Sequence, residues 1–129
     1  MDIILLTENK KQYIDLLLLA DEQESMIDRY LERGDMFVLN DNGVKAICVV
    51  ADETNGICEL KNIAVTSESQ RQGYDKRLIN YLVKHYAGKY TQMIVGKGDV
   101  PSSVSFYKSC GFESVSYTHL RAHETTLHL

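Results

Sequence analysis

Short runs of apolar and β-branched residues, separated by turn residues, predict a sheet of several strands. The predicted strands span residues 3–6, 36–39, 44–51, 57–65 and 92–95, and a last strand begins at Phe112. The end of the fourth run, Ile63, Ala64 and Val65, is apolar on both faces. A strand that is apolar on both faces is expected in the middle of its sheet.

Helical periodicity predicts four helices, over residues 7–20, 22–33, 73–87 and 102–109. Thr7 is expected to cap the first helix and Gly34 to end the second. The third is the strongest because its apolar residues recur every four positions: Tyr74, Leu78, Leu82 and Tyr86. The order of elements predicts an α/β sandwich with mixed strand directions, which forms a single domain over residues 1–129.

Composition narrows the classes of function. With 129 residues and 44% hydrophobic residues, the chain is long enough for one globular domain. Its net charge of −4 disfavours a nucleic-acid binder. The longest apolar run, residues 16–20, is too short to span a membrane. The first residues lack the features of a signal peptide, so a cytoplasmic location is expected.

The three cysteines, Cys48, Cys58 and Cys110, form no CxxC pair. In a cytoplasmic protein they are expected to be reduced thiols. Free cysteine behaves as a small apolar residue, so we interpret all three as packing residues rather than as nucleophiles.

The most informative segment is the loop at residues 70–75, between a buried strand and the strongest helix. Unpaired amides at a helix start, together with the helix dipole, suit a phosphate or a pyrophosphate. Gly73 permits close approach of a ligand to the backbone, and Arg71, Lys76 and Arg77 add positive charge. An ordinary glycine-containing loop with solvated basic residues fits the same pattern.

This loop resembles the pyrophosphate-binding motif Q/R-x-x-G-x-G/A of the GNAT superfamily of N-acetyltransferases, in which Gln70 and Gly73 match. Residues 106–113, FYKSCGFE, are similar to the Y-x-x-x-G-F-x segment near the end of that fold. The strand LKNIAV at residues 60–65 is also typical of the superfamily. Together these similarities extend the resemblance over residues 1–114.

The resemblance implies an α/β fold with a GNAT-like mixed central sheet, splayed between the strands 57–65 and 92–95 and flanked by helices. It also implies transfer of an acetyl group from acetyl-CoA to a primary amine, by direct attack in a ternary complex and without a metal. The pantetheine arm would bind the strand backbone near Ile63, Ala64 and Val65. The pyrophosphate would bind at the loop and helix start, formed by Gln70, Arg71, Gln72, Gly73, Tyr74, Asp75 and Lys76.

Two residues carry the chemistry that the resemblance implies. Tyr107 corresponds to the tyrosine that protonates the departing CoA thiolate, and its ordinary pKa of about 10 keeps it protonated at neutral pH. A core aromatic is the alternative role. Glu59 is the candidate general base, with a structural or substrate-orienting carboxylate as the alternative. Asn62 could position a water or the acceptor amine, or could be a plain polar residue of the sheet.

Two positions depart from the motif pattern. Asp75 stands where the motif has Gly or Ala, and Val100 replaces an asparagine that many members carry. A carboxylate near the pyrophosphate is expected to weaken acetyl-CoA binding unless it turns outward. The alternative function is therefore a GNAT-fold protein that binds acyl-CoA with little or no catalysis, because of Asp75 and an altered C-terminus.

The tail at residues 115–129 is atypical of the superfamily. Residues 115–125 resemble the translation of a sequencing-library adapter, in which case the natural protein ends differently. An ordinary last strand over residues 114–120 is the alternative. His119 and His123 have a spacing found in metal pairs, but a read-through segment has no selected role, so no metal site is predicted. An open sheet edge here would favour self-association as a homodimer.

Overall fold

Seven strands form one mixed sheet in the order β1-β2-β3-β4-β5-β7-β6. The computed structural model describes residues 1–96, 106–116 and 123–129. The strands are β1 (Asp2–Leu6), β2 (Asp35–Asn40), β3 (Val44–Thr54), β4 (Ile57–Val65), β5 (Gln92–Gly96), β6 (Glu113–Ser116) and β7 (His123–His128). Neighbouring strands are antiparallel except β4 and β5, which are parallel. The predicted mixed sheet is confirmed.

Three helices flank the sheet: α1 (Ile14–Ala20), α2 (Glu24–Ile27) and α3 (Tyr74–Tyr86). A short 3₁₀ helix at Lys10–Tyr13 precedes α1, and another at Ser67–Ser69 follows β4. Residues 106–109 form one more helical turn. The helix predicted over 73–87 is confirmed. Residues 102–105 of the last predicted helix, Val100 and His119 lie outside the described residues.

The first two predicted helices are shorter than expected. Asn9 has a left-handed φ of 55°, so the chain enters the 3₁₀ helix there, and Thr7 is not the cap of α1. The second helix ends at Ile27, and residues 28–33 form turns rather than a regular helix. The buried ammonium of Lys10 lies at the end of this segment, where its Nζ donates to the carbonyl oxygens of Leu31 (2.9 Å) and Gly34 (2.8 Å) and satisfies them.

Gly34 follows α2, but it does not have the left-handed conformation expected of a helix-ending glycine. It is required by close packing, because a Cβ there would lie 2.8 Å from Val49 Cγ1 and 2.9 Å from the Tyr30 carbonyl oxygen.

Hydrophobic residues cover both faces of the sheet. On one face α3 packs Leu78, Leu82 and Tyr86 against Phe37 and Cys48. On the other face β2 and β3 are covered by Leu17 of α1, Ile27 of α2 and Leu31 of the turns that follow α2. Cys48 and Cys58 are buried and Cys110 is half-buried, as expected for packing residues. No helix among the described residues is long and apolar enough to cross a membrane.

β4 and β5 separate part-way along their length, as predicted. They pair only from Ile57 with Gln92 to Glu59 with Ile94. Beyond Glu59, β4 continues to Val65 in register with β3, with no ladder partner on its β5 side among the described residues. The backbone N–H and C=O groups on that side are therefore available to a ligand.

A β-bulge interrupts β4 at Lys61. Leu60 pairs with Val50 and Asn62 pairs with Val49, so Lys61 is the extra residue. In a regular strand Glu59 and Asn62 would point to opposite faces. The bulge turns both toward the face covered by α1 and α2.

The tail contributes to the sheet. β7 lies between β5 and β6, with Met93 opposite Leu127 and Ser116 opposite His123. β6, Glu113–Ser116, covers the first part of the alternative strand over residues 114–120, and residues 117–122 lie outside the described part of the chain. β1 and β6 are the edge strands.

Candidate active site

A cleft of about 500 Å³ opens where β4 leaves β5. The predicted site residues that line it are Ile63, Ala64, Val65, Gln70, Arg71, Asp75 and Tyr107. Segments that are far apart in the sequence therefore meet at one place: the end of β4, the loop after it, the start of α3 and the helical turn at residues 106–109.

Leu19 of α1 and Phe106 also line the cleft, and neither was singled out from the sequence. A signal for Leu19 exists in the run of four leucines at residues 16–19. Only one of the four, Leu17, is fully buried, and Leu19 is 55% exposed. An amphipathic helix needs apolar residues only on the face that packs on the core. A further exposed leucine on the same helix is therefore a signal for a second, ligand-binding face.

The loop before α3 holds a left-handed backbone at two positions. Gly73, the residue that precedes the first helical turn, has a φ of 84° and no side-chain cap. Arg71 has a φ of 63°, a conformation that costs a residue with a Cβ on the order of 1 kcal/mol. Gln70 Nε2 donates to the Val65 carbonyl oxygen at 3.5 Å, which ties the loop to the end of β4. Such strain is characteristic of ligand-binding loops.

Two predicted loop residues direct their side chains elsewhere. Gln72 Nε2 donates to the Glu68 carbonyl oxygen at 3.4 Å, and Tyr74 Oη donates to Asp41 Oδ2 at 2.8 Å. The bond to Asp41 raises the pKa of Tyr74. Any contribution of these two residues, and of Gly73, to anion binding would come from their backbone amides.

Asp75 has not turned away from the cleft. Its carboxylate lines the cleft, and its Oδ1 accepts a hydrogen bond from the backbone N–H of Lys76 at 2.8 Å. A first-turn carboxylate stabilises the helix through its dipole. The same hydrogen bond uses the Lys76 amide, one of the helix-start amides that would otherwise bind an incoming anion.

The sequence model of the family described as "Acetyltransferase (GNAT) domain" matches residues 32–114. The chain belongs to the GNAT acetyltransferase family. It is 30% identical over 116 residues to the uncharacterized N-acetyltransferase YvbK of Bacillus subtilis, covering 87% of this chain and 74% of that protein.

Solved GNAT structures have the same fold. A GNAT family acetyltransferase from Elizabethkingia anophelis with acetyl-CoA bound has a TM-score of 0.84 at 24% identity, covering 99% of this chain and 97% of that chain. A Bacillus subtilis acetyltransferase in complex with CoA has a TM-score of 0.81 at 25% identity, covering 98% of this chain and 97% of that chain.

Tyr107 both packs in the core of this GNAT domain and faces its cleft. Its ring contacts those of Phe106 and Phe112 at centroid distances of 5.2 and 5.5 Å. Burial, with smaller contributions from the nearby Cys110 and Asp75, raises the pKa of Tyr107 to about 12. The hydroxyl is therefore protonated at neutral pH and able to donate.

Glu59 lies at the last paired position before the strands separate, and it is 7% exposed. It does not itself line the cleft. Its Oε1 lies 3.0 Å from Lys61 Nζ. Lys61 Nζ also lies 3.6 Å from Glu53, and Arg33 pairs with Glu53 at 3.4 Å. Glu59 is thus the inner member of a network of alternating charges on the α1 and α2 face.

Metal ligands are not clustered in the described residues, where no group of three or more His, Cys, Asp or Glu could hold a metal ion.

Proposed function

We propose that this protein transfers an acetyl group from acetyl-CoA to a primary amine by direct attack in a ternary complex. The observation that carries the proposal is the cleft between β4 and β5, which brings Tyr107 to the end of β4 and to the glycine-capped start of α3. The binding of acetyl-CoA and CoA by the two similar GNAT structures supports it.

Donor binding follows from the backbone of the separated strand. The residues Ile63 to Val65 have peptide groups that can pair with the amides of a pantetheine arm much as a neighbouring strand would. The pyrophosphate would lie at the loop, where Arg71 and Asp75, the second residue of α3, line the cleft, and it would accept from helix-start amides and the Arg71 guanidinium.

The chemistry needs three proton transfers. Glu59 would accept the first proton of the ammonium, directly or through a water, and the free amine nitrogen then attacks the thioester carbonyl carbon, so that a C–N bond forms and the C–S bond breaks. A β4 backbone N–H would stabilise the negative charge that develops on the carbonyl oxygen. Tyr107 would give its proton to the departing thiolate, and the second proton of the new amide nitrogen would return to the Tyr107 oxygen.

Direct attack agrees with the state of the cysteines. Burial raises the pKa of Cys58 to about 12, and it also raises the pKa of Cys48 and Cys110. Because the thiolate is the nucleophilic form of cysteine, these thiols are poor candidates for an acetyl-enzyme at neutral pH.

A CoA-release assay combined with calorimetry tests the proposal. Acetyl-CoA would be incubated with spermidine, kanamycin, L-methionine and a peptide with a free N-terminus, while CoA binding is titrated separately. Amine-dependent CoA release with at least one acceptor supports the transferase. Absence of both CoA binding and CoA release overturns it.

A second candidate function is a GNAT-fold protein that binds acyl-CoA without appreciable catalysis. The carboxylate of Asp75 inside the cleft, bonded to the Lys76 amide, favours it. Tight CoA binding without CoA release from any acceptor would select this alternative.

Replacing Asp75 with glycine, the residue of the family motif, is expected to tighten acetyl-CoA binding about tenfold. The reason is that a like charge near the pyrophosphate costs on the order of 1–4 kcal/mol, and about 1.4 kcal/mol is tenfold in Kd. Calorimetric titration with acetyl-CoA measures the change.

Asp75→Asn is the matched control, because it removes the charge and keeps the side-chain volume. A gain in Asp75→Asn equal to that in Asp75→Gly assigns the effect to charge, whereas a gain only in Asp75→Gly assigns it to bulk. Equal affinity of wild type and both variants would show that Asp75 does not oppose the ligand.

A further inference from the structure

The first turn of α3 is fastened to the rest of the fold by the side chain of Tyr74. The fully buried residues of this helix begin only at Leu78, in the second turn, so burial does not fix the first turn. The ring of Tyr74 is half-buried against the core under α3, and its Oη donates to Asp41 Oδ2 at 2.8 Å. This bond joins the helix start to a segment more than thirty residues earlier in the chain.

The other side chains of this turn make contacts that are local or weak. Asp75 Oδ1 accepts from the N–H of the next residue, Lys76, and so holds nothing outside the helix. Arg77 Nη1 lies 3.2 Å from the sulfur of Met1, and a thioether is a weak acceptor. Among the described residues, the bond from Tyr74 is therefore the one hydrogen bond to a strong acceptor that connects this turn with a distant segment.

Asp41 is a firm anchor because it lies in a tight turn between β2 and β3. Its N–H donates to the Gly43 carbonyl oxygen at 2.8 Å, and the N–H of Gly43 donates to Asn40 Oδ1 at 3.1 Å. β3, which follows this turn, pairs with β4 as far as Ala46 with Val65. The bond from Tyr74 thus fastens the start of α3 to the strand pair whose end lines the cleft.

The loop before α3 ends at Tyr74, so this bond places the far end of the loop. Arg71 and Asp75, which lie on either side of Tyr74 in the sequence, both line the cleft. At the near end of the loop, the bond from Gln70 Nε2 to the Val65 carbonyl oxygen is long, at 3.5 Å, and restrains the loop only weakly. The direction in which the loop presents its amides therefore depends on where Tyr74 is held.

We propose that the hydrogen bond from Tyr74 to Asp41 positions the start of α3 for the pyrophosphate of acetyl-CoA. The proposal rests on the proposed function and adds to its donor site two side chains that do not line the cleft. A loop held in its binding conformation binds more tightly, because less conformational freedom is lost when the ligand arrives. Tyr74 and Asp41 are therefore positioning residues, which act on the donor through the backbone amides of the loop and the helix start.

The test compares Tyr74→Phe and Asp41→Ala with two matched controls, by calorimetric titration with CoA. We expect each of the two variants to raise the Kd for CoA at least about fivefold, and the double variant to raise it no further, because both changes remove the same bond. Asp41→Asn keeps an oxygen that can accept from Tyr74, and Tyr81→Phe removes a hydroxyl further along the same helix. Both controls should keep the Kd for CoA within about twofold of wild type.

Pantetheine, which lacks the pyrophosphate, separates a positioning role from a general effect on the fold. Its Kd, measured by competition with CoA, should stay within about twofold of wild type in every variant, since pantetheine would pair with the backbone of β4.

Three results would overturn this inference alone: an unchanged Kd for CoA in Tyr74→Phe, an equal weakening of CoA and pantetheine, or a loss in Asp41→Asn as large as that in Asp41→Ala. Should Asp41→Ala fold poorly, Tyr74→Phe decides by itself. A wild-type protein that binds no CoA overturns the proposed function and this inference with it.

Discussion

Tyr107→Phe is expected to lower kcat by about 10²–10⁴-fold at neutral pH, the range typical of a lost general acid. Because phenylalanine keeps the ring contacts with Phe106 and Phe112, the cleft should retain its shape, and the Kd for acetyl-CoA should change by less than about threefold. Steady-state kinetics, together with calorimetric titration of acetyl-CoA, measures both quantities.

The pH profile gives an independent test of the same residue. The pKa of Tyr107 is raised to about 12, so its donor proton is present below that pH and is lost only above it. The wild-type rate should therefore rise as the amine loses its proton and should not fall between pH 8 and 10 through Tyr107. Tyr81→Phe is the matched control, because it removes the hydroxyl of a ring that packs on Phe37, outside the residues lining the cleft. A Tyr107→Phe variant as active as Tyr81→Phe would exclude Tyr107 as the acid.

Glu59→Gln is expected to lower kcat by about 10²–10⁴-fold at neutral pH, because the amide cannot accept the proton of the ammonium. The defect should shrink at higher pH, where the amine is deprotonated by solvent before it binds. Rates measured from pH 6.5 to 10 at saturating acetyl-CoA would show the dependence.

The control variant Glu53→Gln distinguishes a role of Glu59 as general base from a role in the ion pair with Lys61. Glu53 contacts the same Lys61 ammonium, at 3.6 Å against 3.0 Å for Glu59. Removing one partly exposed ion pair changes stability by about 0–1 kcal/mol, so Glu53→Gln should keep kcat within about threefold of wild type. Equal losses in both variants, without pH dependence in Glu59→Gln, would identify Glu59 as a structural member of the charge network.

The parts of the fold that could be predicted from the sequence are those with a regular local pattern. The apolar repeat of α3 and the apolar positions of β4 after its turn specify their elements almost to the residue. The helix expected over residues 22–33 is regular only over Glu24–Ile27, and the carbonyls of Leu31 and Gly34 that follow it are bound by the buried ammonium of Lys10, more than twenty residues earlier in the chain. A local pattern contains no information about such a donor.

The residues of the candidate site likewise fall into those that a local motif identifies and those that only tertiary packing identifies. The glycine loop and Tyr107 could be selected from motif resemblance, and both meet at the cleft. Leu19 could not be selected in the same way, because its place in the cleft depends on how α1 packs across β4. The sequence identifies Asn62 as a polar strand residue, but the orientation of its amide depends on the Leu17 carbonyl oxygen, to which Nδ2 donates.

The amino-acid sequence by itself determined strands β1 to β5, the long helix and the glycine at the start of that helix, but not β7. Burial periodicity and φ preference act over a few neighbouring residues and are therefore visible in a single chain. Tertiary structure alone decided where β4 and β5 separate and which face Asn62 shares with Glu59. It also decided that Leu19 and Tyr107 line one cleft. These features arise from contacts between residues distant in sequence, whose geometry is set by packing and by a single extra residue in a β-ladder.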